Sequence, residues 1–164
     1  MIFATAGTNE APFDRLLEAL DALPRTEPLV VQHGASAVRP RDAHCVDFLA
    51  FEELVEHVRA ARVVVTHAGV GSVTVALANG KRPLVVPRLR RFGEAVDDHQ
   101  VVFARRFADA GLVTLVEDPC DLEQAVANGA GDGAGSVAAG GPLVEELAAY
   151  VEARASRRAP RVRP

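Results

Sequence analysis

Tryptophan is absent, tyrosine and methionine occur once each, and aromatic residues fill only 5% of the 164 positions. A core so poor in large rings has to be built from alanine, valine and leucine in tight layers. Cysteine is scarce too, with Cys45 and Cys120 as the whole set and no CxxC between them. That excludes a disulfide framework and a paired-cysteine redox or zinc motif, and it fits reduced thiols in a cytoplasmic protein. No apolar run approaches the roughly 18 residues of a membrane helix, and the first residues lack the basic region of a signal peptide. A membrane role, at the inner face, is therefore expected only through a partner. Basic charge is short as well: residues 151–164 carry five arginines and one glutamate, so a total of −4 leaves −8 on residues 1–150. An acidic body excludes general nucleic-acid binding, which needs a broad lysine and arginine surface. The tail arginines Arg154, Arg157, Arg158, Arg161 and Arg163 suit an anionic lipid or acidic partner, or simply a solvated terminus.

The missing motifs narrow the chemistry further. No GxGxxG follows the first apolar run, which argues against a nicotinamide cofactor. GxxxxGK[ST] is missing, and Gly80-Lys81-Arg82 follows a helical pattern instead of opening one. GxSxG is missing, so the serines carry no hydrolase signature. The five histidines form no HExxH or other metal-spaced pair, and neither a metal nor a cofactor is expected.

What is present is a single soluble domain, 49% hydrophobic and 24% charged, long enough for one core. Strands are predicted at 1–6 (MIFATA), 28–32 (PLVVQ), 45–49 (CVDFL), 62–66 (RVVVT), 83–86 (PLVV) and 112–116 (LVTLV). Helical spacing fills the intervals, with Phe13, Leu16, Leu17 and Leu20 before Pro24, then 51–60, then Val73, Ala76 and Leu77 up to Asn79-Gly80, then 96–110 up to Gly111, and a short helix at 121–127. Alternation of this kind predicts an α/β fold with a doubly wound, mostly parallel six-stranded, Rossmann-like sheet over residues 1–127. Residues 128–141 (NGAGDGAGSVAAGG) read as a glycine- and alanine-rich linker. Residues 142–164 read as an amphipathic helix around Leu143, Leu147, Tyr150 and Val151 followed by the basic tail.

In the common strand order 3-2-1-4-5-6 the connections after the first and fourth strands diverge and open a crevice. Gly7-Thr8-Asn9 follows the first strand and His67-Ala68-Gly69-Val70-Gly71-Ser72 follows the fourth, so two ligand-type loops are expected to face one crevice. A helix amino end at Gly71, Ser72 and Val73 offers free N–H groups and the positive dipole end to a phosphate, and the glycines admit it closely. The plainer alternative is that Ser72 caps the helix and the glycines make the turn. His67 suits either a hydrogen bond to a ligand or a tied-down turn. Asp97-Asp98-His99-Gln100 is a second polar cluster on the same edge, fit to grip a sugar, or a capping box from Asp97 to Gln100.

Taken together, GTN at 7–9, Phe48-Leu49 before a helix, THAGVGSVTVALANGKRPLVVPR at 66–88 and DDHQ at 97–100 resemble glycosyltransferase family 28. The likeness is narrower still to the small catalytic subunits of two-part transferases, such as that adding the second N-acetylglucosamine to the dolichol-linked precursor and those of bacterial exopolysaccharide synthesis. The resemblance implies the carboxyl-terminal, nucleotide-sugar-binding half of a GT-B enzyme. It implies a UDP-sugar donor whose diphosphate and ribose meet His67, Gly69, Val70, Gly71 and Ser72, with Phe48 and Leu49 bordering the uracil. His99 and Gln100, beside Asp98, would hold the donor sugar, and Gly7, Thr8 and Asn9 would line the cleft near the phosphates. The implied reaction is an inverting, metal-independent hexosyl transfer to a lipid-linked acceptor, with the second half of the cleft and the general base supplied by a membrane-associated subunit. His67 is the one catalytic candidate in this chain. One position departs: Val75 stands where many relatives carry a ribose-binding glutamate, which leaves Thr74 as a substitute contact. Two other classes compete with the transferase, a nucleotide-sugar-binding or regulatory module without turnover and a purely structural α/β domain.

Overall fold

The computed structural model describes residues 1–128. The expected linker at 128–141, beyond Asn128, and the expected helix and tail at 142–164 lie outside the described residues. Six strands, β1 (Ile2–Thr5), β2 (Leu29–Gln32), β3 (Ala43–Val46), β4 (Val63–His67), β5 (Leu84–Val86) and β6 (Thr114–Leu115), and five α-helices, α1 (Asp14–Ala22), α2 (Phe51–Ala60), α3 (Val70–Ala78), α4 (His99–Asp109) and α5 (Leu122–Ala127), lie within the described residues, with a helix after every strand but β2. The sheet runs β3-β2-β1-β4-β5-β6, and every neighbouring pair is parallel. β1 and β4 are therefore adjacent, and the switch point lies between them.

Strands covered on both sides must be apolar throughout, and β1, β2 and β5 are buried at every position. One face packs Ile2, Ala4, Leu29, Val31, Val63, Val65 and Leu84 against α1 and α5 through Leu16, Leu17, Leu20, Leu122 and Val126. The other face packs Phe3, Val30 and Val64 against Val58 of α2 and Ala76 of α3, and Val85 against Ala104 and Phe107 of α4. Two helix ends follow the glycine signal directly. Gly80 N–H donates to Leu77 O and Lys81 N–H to Ala76 O at 3.0 and 2.9 Å, and Gly111 and Leu112 repeat the pair on Ala108 and Phe107 at 2.9 Å each. Both glycines adopt positive φ, as this double hydrogen bond requires.

Several boundaries differ from the sequence expectation. β3 ends at Val46 instead of Leu49 because Asp47 Oδ1 accepts the Phe48 N–H at 2.8 Å and turns the chain. α4 begins at His99 instead of Val96, since Asp97 Oδ1 accepts the His99 N–H at 3.1 Å and Asp98 Oδ1 accepts the Arg90 N–H at 2.9 Å. The Asp97–Gln100 capping box is thus not formed. β4 runs one residue further than expected and ends in His67, which pairs with Val86. Among the described residues no helix is long and apolar enough to cross a membrane.

Candidate functional site

The carboxyl edge of the sheet gathers the loops after β1, β2, β4 and β5, and the loops after β1 and β4 meet at His67. A methyl group added at Gly7 would stand 2.4 Å from His67 Cε1, and one at Gly69 would stand 2.2 Å from His67 Nε2. No real Cβ tolerates such distances, so the imidazole is clasped between two backbones that only glycine can supply. Gly7 adopts φ +80° as well, a conformation that L side chains resist. A third backbone leans on this pair: a Cβ at Gly34, after β2, would lie 2.6 Å from Gly7 O. Thr5 Oγ1 accepts the Gly7 N–H at 3.0 Å and donates to Gln32 Oε1 at 3.1 Å, which fixes the turn from beneath.

The clasp governs the chemistry of the ring. Burial pushes the His67 pKa down to about 4, the nearby Arg88 charge adds to this, and the Thr5 backbone opposes it. Its Nδ1 is buried without a hydrogen-bond partner. At neutral pH His67 is therefore an uncharged imidazole, held inside the clasp with one ring nitrogen unpartnered.

Two residues, Ala68 and Gly69, separate the end of β4 at His67 from the start of helix α3 at Val70. Its N-cap is Gly69, not Ser72, and no side chain caps it. The Val73 N–H, expected to be free, is already taken by Gly69 O at 3.1 Å. The donors that the helix leaves without an intrahelical acceptor are those of Val70, Gly71 and Ser72. A Cβ on Gly71 would meet nothing within 4 Å, so the approach to these groups is open. An anion placed there gains both the N–H groups and the positive dipole end.

The other expected residues are distributed unevenly. Thr8 and Asn9 are exposed, and Asn9 Oδ1 accepts the Ala11 N–H at 2.8 Å. Phe48 is 65% exposed, whereas Leu49 is buried in the cluster of Phe3, Val58 and Ala76 that Val75 also joins. Val75 is thus turned toward apolar packing, and Thr74 Oγ1 donates to Val70 O of its own helix at 2.7 Å. His99 is exposed, and its Nδ1 hydrogen-bonds Asp97 Oδ1. Gln100 is buried, and its Oε1 accepts the Arg88 N–H at 3.1 Å, while Asp98 is spent on Arg90. Of the expected set, the structure brings His67, Gly7 and Gly69 into direct apposition and leaves Phe48 and His99 on the surface.

Arg88, the last residue of the 66–88 motif, is the largest fully buried side chain of the described residues. Its Nη2 donates to Ala6 O at 2.8 Å, and its Nη1 donates to Ala11 O, Pro12 O and Glu94 O at 2.9, 3.3 and 3.1 Å. Glu94 in turn holds Arg15 through both carboxylate oxygens at 2.9 Å and accepts the Leu89 N–H at 2.9 Å. The only signal for this in the sequence is a charged residue directly after a strand and Pro87.

Comparison with known proteins agrees with this architecture. The family model described as "Glycosyltransferase family 28 C-terminal domain" matches residues 1–134. No curated protein matches the chain. Among solved structures, CalG4, the calicheamicin glycosyltransferase, is similar at TM-score 0.60 and 20% identity, covering 97% of this chain and 44% of that one. SnogD from Streptomyces nogalater aligns at TM-score 0.57 and 18% identity over 97% of this chain and 40% of that one. MurG of Acinetobacter baumannii aligns at TM-score 0.53 and 23% identity over 77% of this chain and 40% of that one. The chain spans less than half the length of these relatives, and at such identities the likeness concerns the fold.

Proposed function

This chain belongs to the glycosyltransferase family 28 C-terminal domain family, and we propose that it is the donor-binding, catalytic subunit of a UDP-sugar-dependent hexosyltransferase. The observation that carries the reading is the clasp: loops from both sides of the switch point close on one neutral imidazole beside a helix amino end that no side chain caps. In this reading the donor diphosphate takes the Val70, Gly71 and Ser72 N–H groups, and His67 gives or accepts a hydrogen bond at the phosphate or sugar. Charge that builds on the departing UDP is met by fixed donors that need no reorganisation, which is where electrostatic catalysis is strongest. An imidazole with a pKa of about 4 is a weak base, so His67 fits ligand hydrogen bonding better than proton abstraction. The base that activates the acceptor hydroxyl is assigned to a second, membrane-associated subunit that also binds a lipid-linked acceptor at the cytoplasmic face. The transfer is then inverting and metal-independent, of the kind used in exopolysaccharide assembly.

Titration of the full chain with a panel of UDP-sugars tests the donor site, since a ligand of the native state stabilises it by mass action. Transfer assays with membranes that contain the partner then compare wild type with His67→Ala. Full activity in that variant would remove His67 from the site. Truncation after Gly140 is expected to abolish co-purification with the membrane subunit, and retained co-purification would place the docking surface elsewhere. A second reading, a nucleotide-sugar-binding module without turnover, is favoured by one observation. Val75 stands packed in an apolar cluster where the resemblance calls for a ribose-binding carboxylate.

A further inference from the structure

A guanidinium lies under the clasp with its charge left in place. Arg88 is only 1% exposed, and removing such a group from water is costly unless an opposite charge or a full set of acceptors receives it. Its acceptors are four neutral carbonyl oxygens, of Ala6, Ala11, Pro12 and Glu94, and its Nε is buried with no partner. The Phe13 ring supplies an aromatic face 4.7 Å from the guanidinium carbon. The nearest carboxylate, Glu94, spends both oxygens on Arg15 and the Leu89 N–H, and it reaches Arg88 only through space. The positive charge is therefore offset at a distance, never cancelled by contact.

The topology fixes where that charge sits. Arg88 stands two residues past the end of β5 and bonds the carbonyl of Ala6, one residue past the end of β1, and in the sheet β4 lies between those two strands. Two strand spacings of about 4.8 Å separate β5 from β1, so the side chain reaches across past the end of β4, which is His67. The depressed basicity of His67, part of which comes from Arg88, reports the same proximity. No charged residue stands in the first turn of α3, and the β1 turn Ala6-Gly7-Thr8 carries none. Arg88, trimmed by Glu94, is the charge that this part of the crevice feels.

We propose that Arg88 is an electrostatic anchor for the anionic part of the ligand, a buried positive charge beneath the Gly7–His67–Gly69 clasp that strengthens anion binding without touching the anion. The inference rests on the donor-site reading for the identity of that anion. A buried charge acts at low effective dielectric and is screened little by salt, so its removal weakens an anion far more than a neutral ligand at the same site.

The test is calorimetric titration of the full chain with UDP, inorganic pyrophosphate and uridine, for wild type, Arg88→Met, Arg88→Lys and Glu94→Gln, with thermal unfolding of each. Arg88→Met is expected to weaken UDP and pyrophosphate about tenfold or more while uridine changes less than about twofold, and Arg88→Lys keeps most of the anion affinity. Glu94→Gln is expected to tighten UDP several-fold even as it lowers the melting temperature by releasing Arg15. That opposed pair of signs cannot come from a loop pin, and it carries the test if Arg88→Met does not fold. If UDP and uridine weaken together in Arg88→Met and Glu94→Gln, or if neither variant moves UDP, the anchor is refuted and the donor reading stands. If pyrophosphate binds with Arg88 dependence but no uridine nucleotide binds, the donor reading fails and the anchor stands. Wild type that binds no anionic probe overturns both.

Discussion

Gly71→Ala separates the stability of α3 from its use as an anion site. Gly71 is the second residue of α3, exposed, and an added Cβ meets nothing within 4 Å. It is absent from the positive-φ glycines, so alanine fits its backbone without strain. Replacing a helical glycine by alanine gains up to about 1 kcal/mol in a helix interior and about half of that in a first turn. For a chain of this size that raises the melting temperature by about 1–3 °C. The same methyl projects beside the Val70, Gly71 and Ser72 N–H groups, where an anion must come to hydrogen-bond distance. Loss of even one such approach is expected to weaken UDP tenfold or more, about 1.4 kcal/mol. Thermal unfolding and calorimetric titration with UDP, on the same preparation, should therefore move in opposite directions. An affinity that stays at the wild-type value while stability rises would show that no ligand approaches this helix end, and the anion reading would fall with it. Gly69→Ala provides the contrast, because its φ of −82° is ordinary but its Cβ would stand 2.2 Å from His67 Nε2. There binding and stability are expected to fall together, the latter by about 1–3 kcal/mol for an overpacked site.

Three further outcomes follow from single side chains. His67 has a folded pKa of about 4 against 6.5 when free, so its contribution is complete above about pH 6.5 and drains as pH falls toward 4. On the order of 2–3 kcal/mol is at stake, and urea midpoints between pH 7 and 4.5 should fall less steeply in His67→Gln than in wild type. Phe13 is fully buried between α1 and the Arg88 guanidinium; Phe13→Ala is expected to cost about 3–5 kcal/mol in denaturant unfolding, and Phe13→Leu about 1–1.5. The Arg62 hydrogen bond, with the Met1 ammonium, holds the Glu27 carboxyl at about 2 from 4.5, burial opposing. That stabilisation is present above pH 4.5 and lost as pH falls toward 2, so Glu27→Gln is expected to cost about 1 kcal/mol at pH 7 and to flatten acid unfolding in that lower window.

The strand order was legible because the central runs β1, β2 and β5 are apolar and buried throughout, and every connection but that between β2 and β3 holds a crossover helix. Element ends were less so, and for a common reason. Phe48-Leu49 continues the apolar pattern of β3, yet the Asp47 side chain takes the Phe48 N–H and ends the ladder. Val96 and Asp97 continue the helical pattern of α4, yet the Asp97 and Asp98 carboxylates bond backbone N–H groups in the turn. In both places a short polar side chain competes with the backbone's regular partner. Periodicity does not register that competition. Glycine ends were legible at Gly80 and Gly111 because the left-handed cap leaves few other residue types.

The site divides along the same line. Gly7, His67 and Gly69 could be placed from sequence, since what a glycine permits is read from the Cβ it lacks and the topology then brings 7 to 69. Arg88 could not, because three of its four acceptors lie 82, 77 and 76 positions away and all four are backbone carbonyls, which every residue carries. Gln100 shows the converse: the motif offers it to a sugar, while the fold gives its Oε1 to the Arg88 N–H. Both residues serve loops whose own backbones form the wall of the crevice. In this crevice, then, polar side chains nearest the core hold backbone, and backbone N–H groups face outward.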